Sequence, residues 1–141
     1  MVYTTNSAEE TERLAAELAA KLDAGDFVAL RGDLGAGKTA FARGLARGLG
    51  VRRTVLSPSF TLMRMYTEGR LPLYHFDMYR LSGPEDLAEI GFDEYAEGDG
   101  VCVAEWAERA GAALPQRYLD IYIEGSADLP RRITVSEAGE G

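Results

Sequence analysis

The run Gly32-Asp33-Leu34-Gly35-Ala36-Gly37-Lys38-Thr39 has the spelling G-x-x-x-x-G-K-[ST] of the phosphate-binding P-loop. Phosphate chemistry explains the spelling. Glycines let successive backbone N–H groups converge on phosphate oxygens, and a helix that starts at the end of the loop adds its positive N-terminus. In that arrangement Lys38 reaches the β- and γ-phosphates, and the Thr39 hydroxyl ligates magnesium. A plain Gly-rich turn from strand to helix is the competing reading. The flanks favour the P-loop: Phe27-Val28-Ala29-Leu30 reads as a buried strand entering it, and Ala40 to Leu49, with apolar Phe41, Leu45 and Leu49, as the helix leaving it.

Hydrolysis also needs a carboxylate on the magnesium side and a group that places the attacking water. Glu105 follows Val101-Cys102-Val103-Ala104, which matches the Walker-B logic of a buried strand delivering an acid beside the P-loop strand. Asp77 follows Leu73-Tyr74-His75-Phe76 and ends its strand in the same way, which suits a catalytic or supporting role. A helix N-cap or a surface charge is the alternative for both acids. Ser57-Pro58-Ser59-Phe60-Thr61 stands where many P-loop proteins sense the γ-phosphate, and hydroxyls there suit magnesium or its waters; an ordinary Ser-Pro turn fits equally. His75, among apolar and aromatic neighbours, reads as a packed strand histidine rather than a catalyst. Trp106 reads as core, although its place after Glu105 would let it fix the orientation of that carboxylate.

The elements that must position these groups follow from pattern. Ser7-Ala8-Glu9-Glu10 fits a capping box that opens a helix with Leu14, Ala15, Leu18, Ala19 and Leu22 on one face. Gly25 closes the connection to the P-loop strand, and Gly50 stops the P-loop helix. Residues 60–66 and 71–76 read as two strands around the turn Thr67-Glu68-Gly69-Arg70, an antiparallel hairpin. A helix from Pro84 to Ile90 stops at Gly91, and a shorter one covers Phe92 to Ala96. Tyr118 to Ile123 and Ile133 to Val135 alternate in period two as a second antiparallel pair, and Glu137 to Gly141 reads as a frayed tail. Short connections between strands argue against a purely parallel sheet. The expected class is α/β: a P-loop NTPase-like, three-layer arrangement with a mixed parallel/antiparallel sheet flanked by helices, in one domain over residues 1–141.

Composition narrows the function. With 141 residues, 46% of them hydrophobic, the chain can bury one real core. Its net charge of −8 opposes the counterion exchange that drives binding to bare nucleic acid. The adjacent basic pairs Arg52-Arg53 and Arg131-Arg132 read as solvated surface charge. A single cysteine, Cys102, rules out an intramolecular disulfide and reads as a small buried hydrophobe. No leader-like segment or membrane-length apolar run is present, so the expected location is the cytoplasm. A GTPase is disfavoured, because the guanine-reading N-K-x-D is missing (the only asparagine is Asn6) and no D-x-x-G follows the P-loop.

Together with the P-loop, Ser57-Pro58-Ser59-Phe60-Thr61-Leu62, Tyr74-His75-Phe76-Asp77-Met78-Tyr79-Arg80-Leu81 and Glu105-Trp106 fall in an order and spacing that resemble the bacterial TsaE (YjeE) family, from about Ser7 to Val135. Ser59 departs from the family's usual Thr, a mild change. The resemblance implies a magnesium-dependent ATPase that supports threonylcarbamoyladenosine formation on tRNA. It implies that Asp33, Leu34, Gly35, Ala36, Gly37, Lys38, Thr39 and Ala40 hold ATP, with Trp106 shaping the site and Arg131 a candidate nucleotide contact. Thr39 and Glu105 would coordinate Mg²⁺, and Lys38, Asp77 and Glu105 would serve catalysis. The implied partner is the TsaB–TsaD pair, where TsaD modifies adenosine 37, so that tRNA is reached through the partners. A small-molecule P-loop kinase and a nucleotide-gated binding module with little hydrolysis are the other readings of the residues.

Overall fold

The computed structural model describes residues 1–32, 37–52, 55, 63–79, 81, 85–125 and 130–139. Its frame is a seven-stranded sheet: β1 (Val2–Thr5), β2 (Phe27–Gly32), β3 (Met63–Tyr66), β4 (Leu73–Asp77), β5 (Val101–Glu105), β6 (Arg117–Glu124) and β7 (Arg131–Gly139). They lie in the order β1-β7-β6-β2-β5-β4-β3. The P-loop strand β2 sits between parallel β6 and β5, and β4 continues the parallel set beyond β5. The hairpins β3–β4 and β6–β7 are antiparallel, as is the pair β1–β7, so the sheet is mixed.

Period-two alternation sorts the strand residues between two cores. Val28, Leu30, Leu73, Val101, Val103, Ile121 and Ile123 face helices α1 (Ala8–Ala19) and α2 (Lys38–Gly48). Phe27, Ala29, Tyr74, Phe76, Cys102 and Ala104 face the other way, toward α3 (Glu85–Glu89), α4 (Phe92–Ala96) and a 3₁₀ segment, Ala107–Ala113. These are the three expected layers.

α1 begins at the capping box. Ser7 Oγ accepts from the Glu10 N–H at 3.1 Å, while Glu10 Oε2 accepts from the N–H of Asn6 at 2.9 Å, one residue before the cap. α2 starts two residues earlier than the apolar period indicates, because Gly37, at φ +105°, leads directly into Lys38. The two helices meet at small residues. A Cβ on Gly44 would stand 2.2 Å from the Glu12 carbonyl oxygen and 2.7 Å from the Ala15 Cβ; one on Gly48 would stand 2.6 Å from the Ala16 carbonyl oxygen and the Ala19 Cβ. The β3–β4 turn fastens the ends of both helices. Arg70 Nη2 donates to the carbonyls of Ala19 and Leu22 at 2.8 Å, and its backbone N–H donates to Leu49 at 2.7 Å.

Two features correct the sequence-based expectation. Glu137, Ala138 and Gly139 belong to β7, paired with Leu119, Tyr118 and Arg117, so the strand runs well into the supposed tail. Strand β1, unassigned from the sequence, pairs Val2–Thr5 with Thr134–Arg131. Residues 60–62 of the first hairpin and Pro84 lie outside the described residues, as do residues 140 and 141.

Candidate functional site

The C-terminal ends of three neighbouring parallel strands lie together: Gly32 on β2, Glu105 on β5 and Asp77 on β4. Open α/β sheets place their ligands at this edge. Gly37 and the first turn of α2 return to it, which brings Lys38 and Thr39 beside Glu105. Glu105, 4% exposed, is bonded at both oxygens: Oε1 accepts from Thr39 Oγ1 at 3.0 Å, and Oε2 lies 2.6 Å from His75 Nε2. Residues from α2, β4 and β5 therefore share one hydrogen-bonded line.

Lys38, 5% exposed, donates through Nζ to the Gly32 carbonyl at 2.8 Å, which holds its ammonium at the C-terminal end of β2. The same Nζ lies 4.0 Å from the centre of the Trp106 ring, within cation–π range. Trp106 has φ +57° and ψ +40°, a backbone conformation that costs a non-glycine residue about 1–3 kcal/mol. That turn carries the indole from the end of β5 to the lysine. The indole also meets Tyr79, ring centres 4.9 Å apart, and the Tyr79 ring centre in turn lies 5.1 Å from the Arg109 guanidinium. Tyr79 and Arg109 are contacts that the sequence reading leaves without a role.

Asp77 stands in register with Glu105 across β4 and β5, and the ladder continues one step further through the Met78 N–H and the Glu105 carbonyl at 2.9 Å. Asp77 Oδ1 accepts from the Tyr79 N–H at 3.0 Å, so the carboxylate also shapes the turn that presents Tyr79. Arg131 crosses the start of α2: a Cβ on Gly37 would lie 2.9 Å from its Nε and 3.2 Å from its Cδ. Arg131 therefore packs against Gly37. Ala40 is buried in the first turn of α2. Asp33, Leu34, Gly35 and Ala36 lie outside the described residues, as does the stretch from Ser57 to Leu62.

His75 is the packed strand histidine that the sequence reading expects, with one contact beyond packing. It is packed, with 0% exposure, and it also contacts Glu105 directly. Alternation along β4 puts Leu73, His75 and Asp77 on one face, and that parity was the available signal.

The donor set fits a triphosphate with magnesium. Thr39 and Glu105 are hard oxygen donors, as magnesium requires, and Gly37 makes a cradle that any side chain would fill against Arg131. Among the described residues no three His, Cys, Asp or Glu side chains converge on a metal position. No helix among the described residues is long and apolar enough to cross a membrane.

A parallel strand, a Gly-rich loop with its lysine and a following helix, set in a mixed three-layer sheet, define a P-loop-like α/β protein. Within that class the chain belongs to the TsaE family, whose profile, "Threonylcarbamoyl adenosine biosynthesis protein TsaE", matches residues 5–133. It is 45% identical over 137 residues to the tRNA threonylcarbamoyladenosine biosynthesis protein TsaE of Bacillus subtilis, covering 97% of this chain and 85% of that one. The Treponema pallidum protein of the same name is 46% identical over 136 residues, covering 96% and 100%. The crystal structure of Bacillus subtilis YdiB superposes with a TM-score of 0.84 at 42% identity, over 99% of this chain and 86% of that one.

Proposed function

We propose that this chain is a magnesium-dependent ATPase that supports threonylcarbamoyl modification of adenosine 37 in tRNA by acting on the TsaB–TsaD complex. The observation that carries the reading is the 3.0 Å bond between Thr39 on the P-loop helix and Glu105 on the neighbouring strand. It pairs the two oxygens that a P-loop site uses for magnesium.

In this reading Lys38, the N–H groups of residues 33–40 and the N-terminus of α2 bind the phosphates, while Arg131 closes one side of the loop. Thr39 and Glu105 would hold Mg²⁺, which when bound would supply charge to offset that developing on the phosphates. Asp77 orients the attacking water, and Trp106 keeps the Lys38 ammonium at the C-terminal end of β2. ATP is favoured over GTP because the chain lacks N-K-x-D.

Hydrolysis of ATP with and without the TsaB–TsaD pair, alongside tRNA modification by the same mixture, tests the reading. The expected result is slow turnover alone and faster turnover with the pair. Turnover that stays negligible with both partners present would leave a nucleotide-gated binding module, and phosphate delivered to a small-molecule acceptor would make the chain a kinase. Asp77→Ala is expected to keep ATP binding within about threefold and lose turnover by about a hundredfold, the range for a group acting in proton transfer or water placement. ATP affinity that collapses in this variant would remove Asp77 from that role.

A further inference from the structure

His75 lies at the centre of this site, and the reading above gives it no task. Its ring is fully buried, Nε2 is 2.6 Å from Glu105 Oε2, and Nδ1 has no hydrogen-bond partner among the described residues. For packing alone a leucine or phenylalanine would serve better, since a buried polar atom without a partner costs free energy. The feature that a hydrocarbon could not replace is the bond to Glu105. An ionised carboxylate only accepts, so Nε2 carries the proton and donates, and Nδ1 is left as a lone pair.

The opposite oxygen of Glu105 accepts from the Thr39 hydroxyl. Thr39 spends its only proton there, which leaves its lone pairs for a cation. One bond from β4 and one from α2 thus fix the rotation of the carboxylate from both sides. Without His75, Oε2 would be a buried acceptor lacking a partner, and the carboxylate could turn away from Thr39.

Resting on the ATPase reading above, we propose that His75 is a positioning residue: it orients Glu105 so that Oε1 and Thr39 Oγ1 act as a joint oxygen pair toward magnesium bound with nucleotide. Groups that hold a metal ligand in place typically change metal affinity by one to two orders of magnitude when removed.

The chain contains a single tryptophan, Trp106, against Lys38, so its fluorescence reports on the site without a label. Mg²⁺ is titrated into protein holding ATP, followed by Trp106 fluorescence, and magnesium-free ATP binding is measured separately by equilibrium dialysis. His75→Leu is expected to need about ten- to hundredfold more Mg²⁺ with magnesium-free ATP binding kept, and His75→Gln, whose amide donates near the Nε2 position, to return within about threefold of wild type. A wild-type Mg²⁺ requirement in His75→Leu overturns the proposal, as does equal impairment of the Leu and Gln variants. Should His75→Leu not fold, His75→Asn, whose amide is too short to reach Glu105, carries the same test. If the wild-type protein shows no magnesium-dependent response to ATP, the ATPase reading falls and takes this assignment with it; if it responds, only the role of His75 is at stake.

Discussion

Removing the Glu105 carboxylate strands two partners at once, the Thr39 hydroxyl and the His75 ring. Glu105→Ala is therefore expected to lower stability by about 1–3 kcal/mol, the cost of leaving buried donors without an acceptor, as read by denaturant unfolding. Thr39→Val, which leaves the His75 bond in place, should cost less; a larger loss in that variant would show the Thr39 bond to dominate. Cys102 supplies a second residue-scale test. Burial pushes its thiol from the ordinary 9.0 up to about 12, so the folded state retains the proton. The stability this contributes is complete below pH 9 and drains as pH rises toward 12. Cys102→Ala should flatten that part of the alkaline decline, and a thiol reagent at pH 8 should label Cys102 only on unfolding. That Lys38, Thr39 and Glu105 would meet at one edge of the sheet was legible in the sequence because strand, loop and helix are local, with Glu105 at the end of β5 and Thr39 in the first turn of α2. His75 was not, because parity shows which residues share its face of β4 but not which helices cover that face. Arg131 was obscured differently: an adjacent arginine pair looks like solvated charge until β7 is seen to start beside Gly37.

At the scale of elements, the site depends on how closely α2 is held to α1. Gly44→Ala ought to stabilise an isolated helix by about 1 kcal/mol. Here the added Cβ would stand 2.2 Å from the Glu12 carbonyl oxygen, backbone that cannot rotate away. The overlap is expected to win, with a net loss of about 1–3 kcal/mol in urea unfolding. A gain in stability would show that the helices separate at little cost. Elements whose signals are local, such as the capped α1, the β3–β4 hairpin and β5, could be read from the chain. Those that depend on distant partners could not: β1 has only the far end of the chain to pair with, and residues 137–139 become strand through residues 117–119. Mixed topology was legible because the short turns imposed it, whereas the strand order rests on crossovers that no local pattern encodes.

Across the whole molecule, charge separates what the loop binds from what the surface tolerates. A net charge of −8 opposes polyanions at long range, whereas under the proposed function a short phosphate chain would meet Lys38, Arg131 and the α2 N-terminus at one edge of the sheet. ATP would lie with most of its charge beside these groups. The phosphates of a tRNA extend well beyond a Debye length of about 8 Å at 0.15 M salt and so would meet the net negative charge of the chain. Under the proposed function the isolated chain is therefore expected to bind bare tRNA more weakly than about 100 μM at that salt, without the steep weakening on added salt that counterion release produces. With TsaB and TsaD present, tRNA and this chain should co-migrate on a sizing column. Tight, salt-sensitive binding of tRNA by the chain alone would reveal a basic face and would move the tRNA contact from the partners to this protein. Under the proposed function the expected pattern would give the net negative charge a use: it would keep free chain off tRNA and leave ATP turnover to be spent where a partner has already brought the nucleic acid.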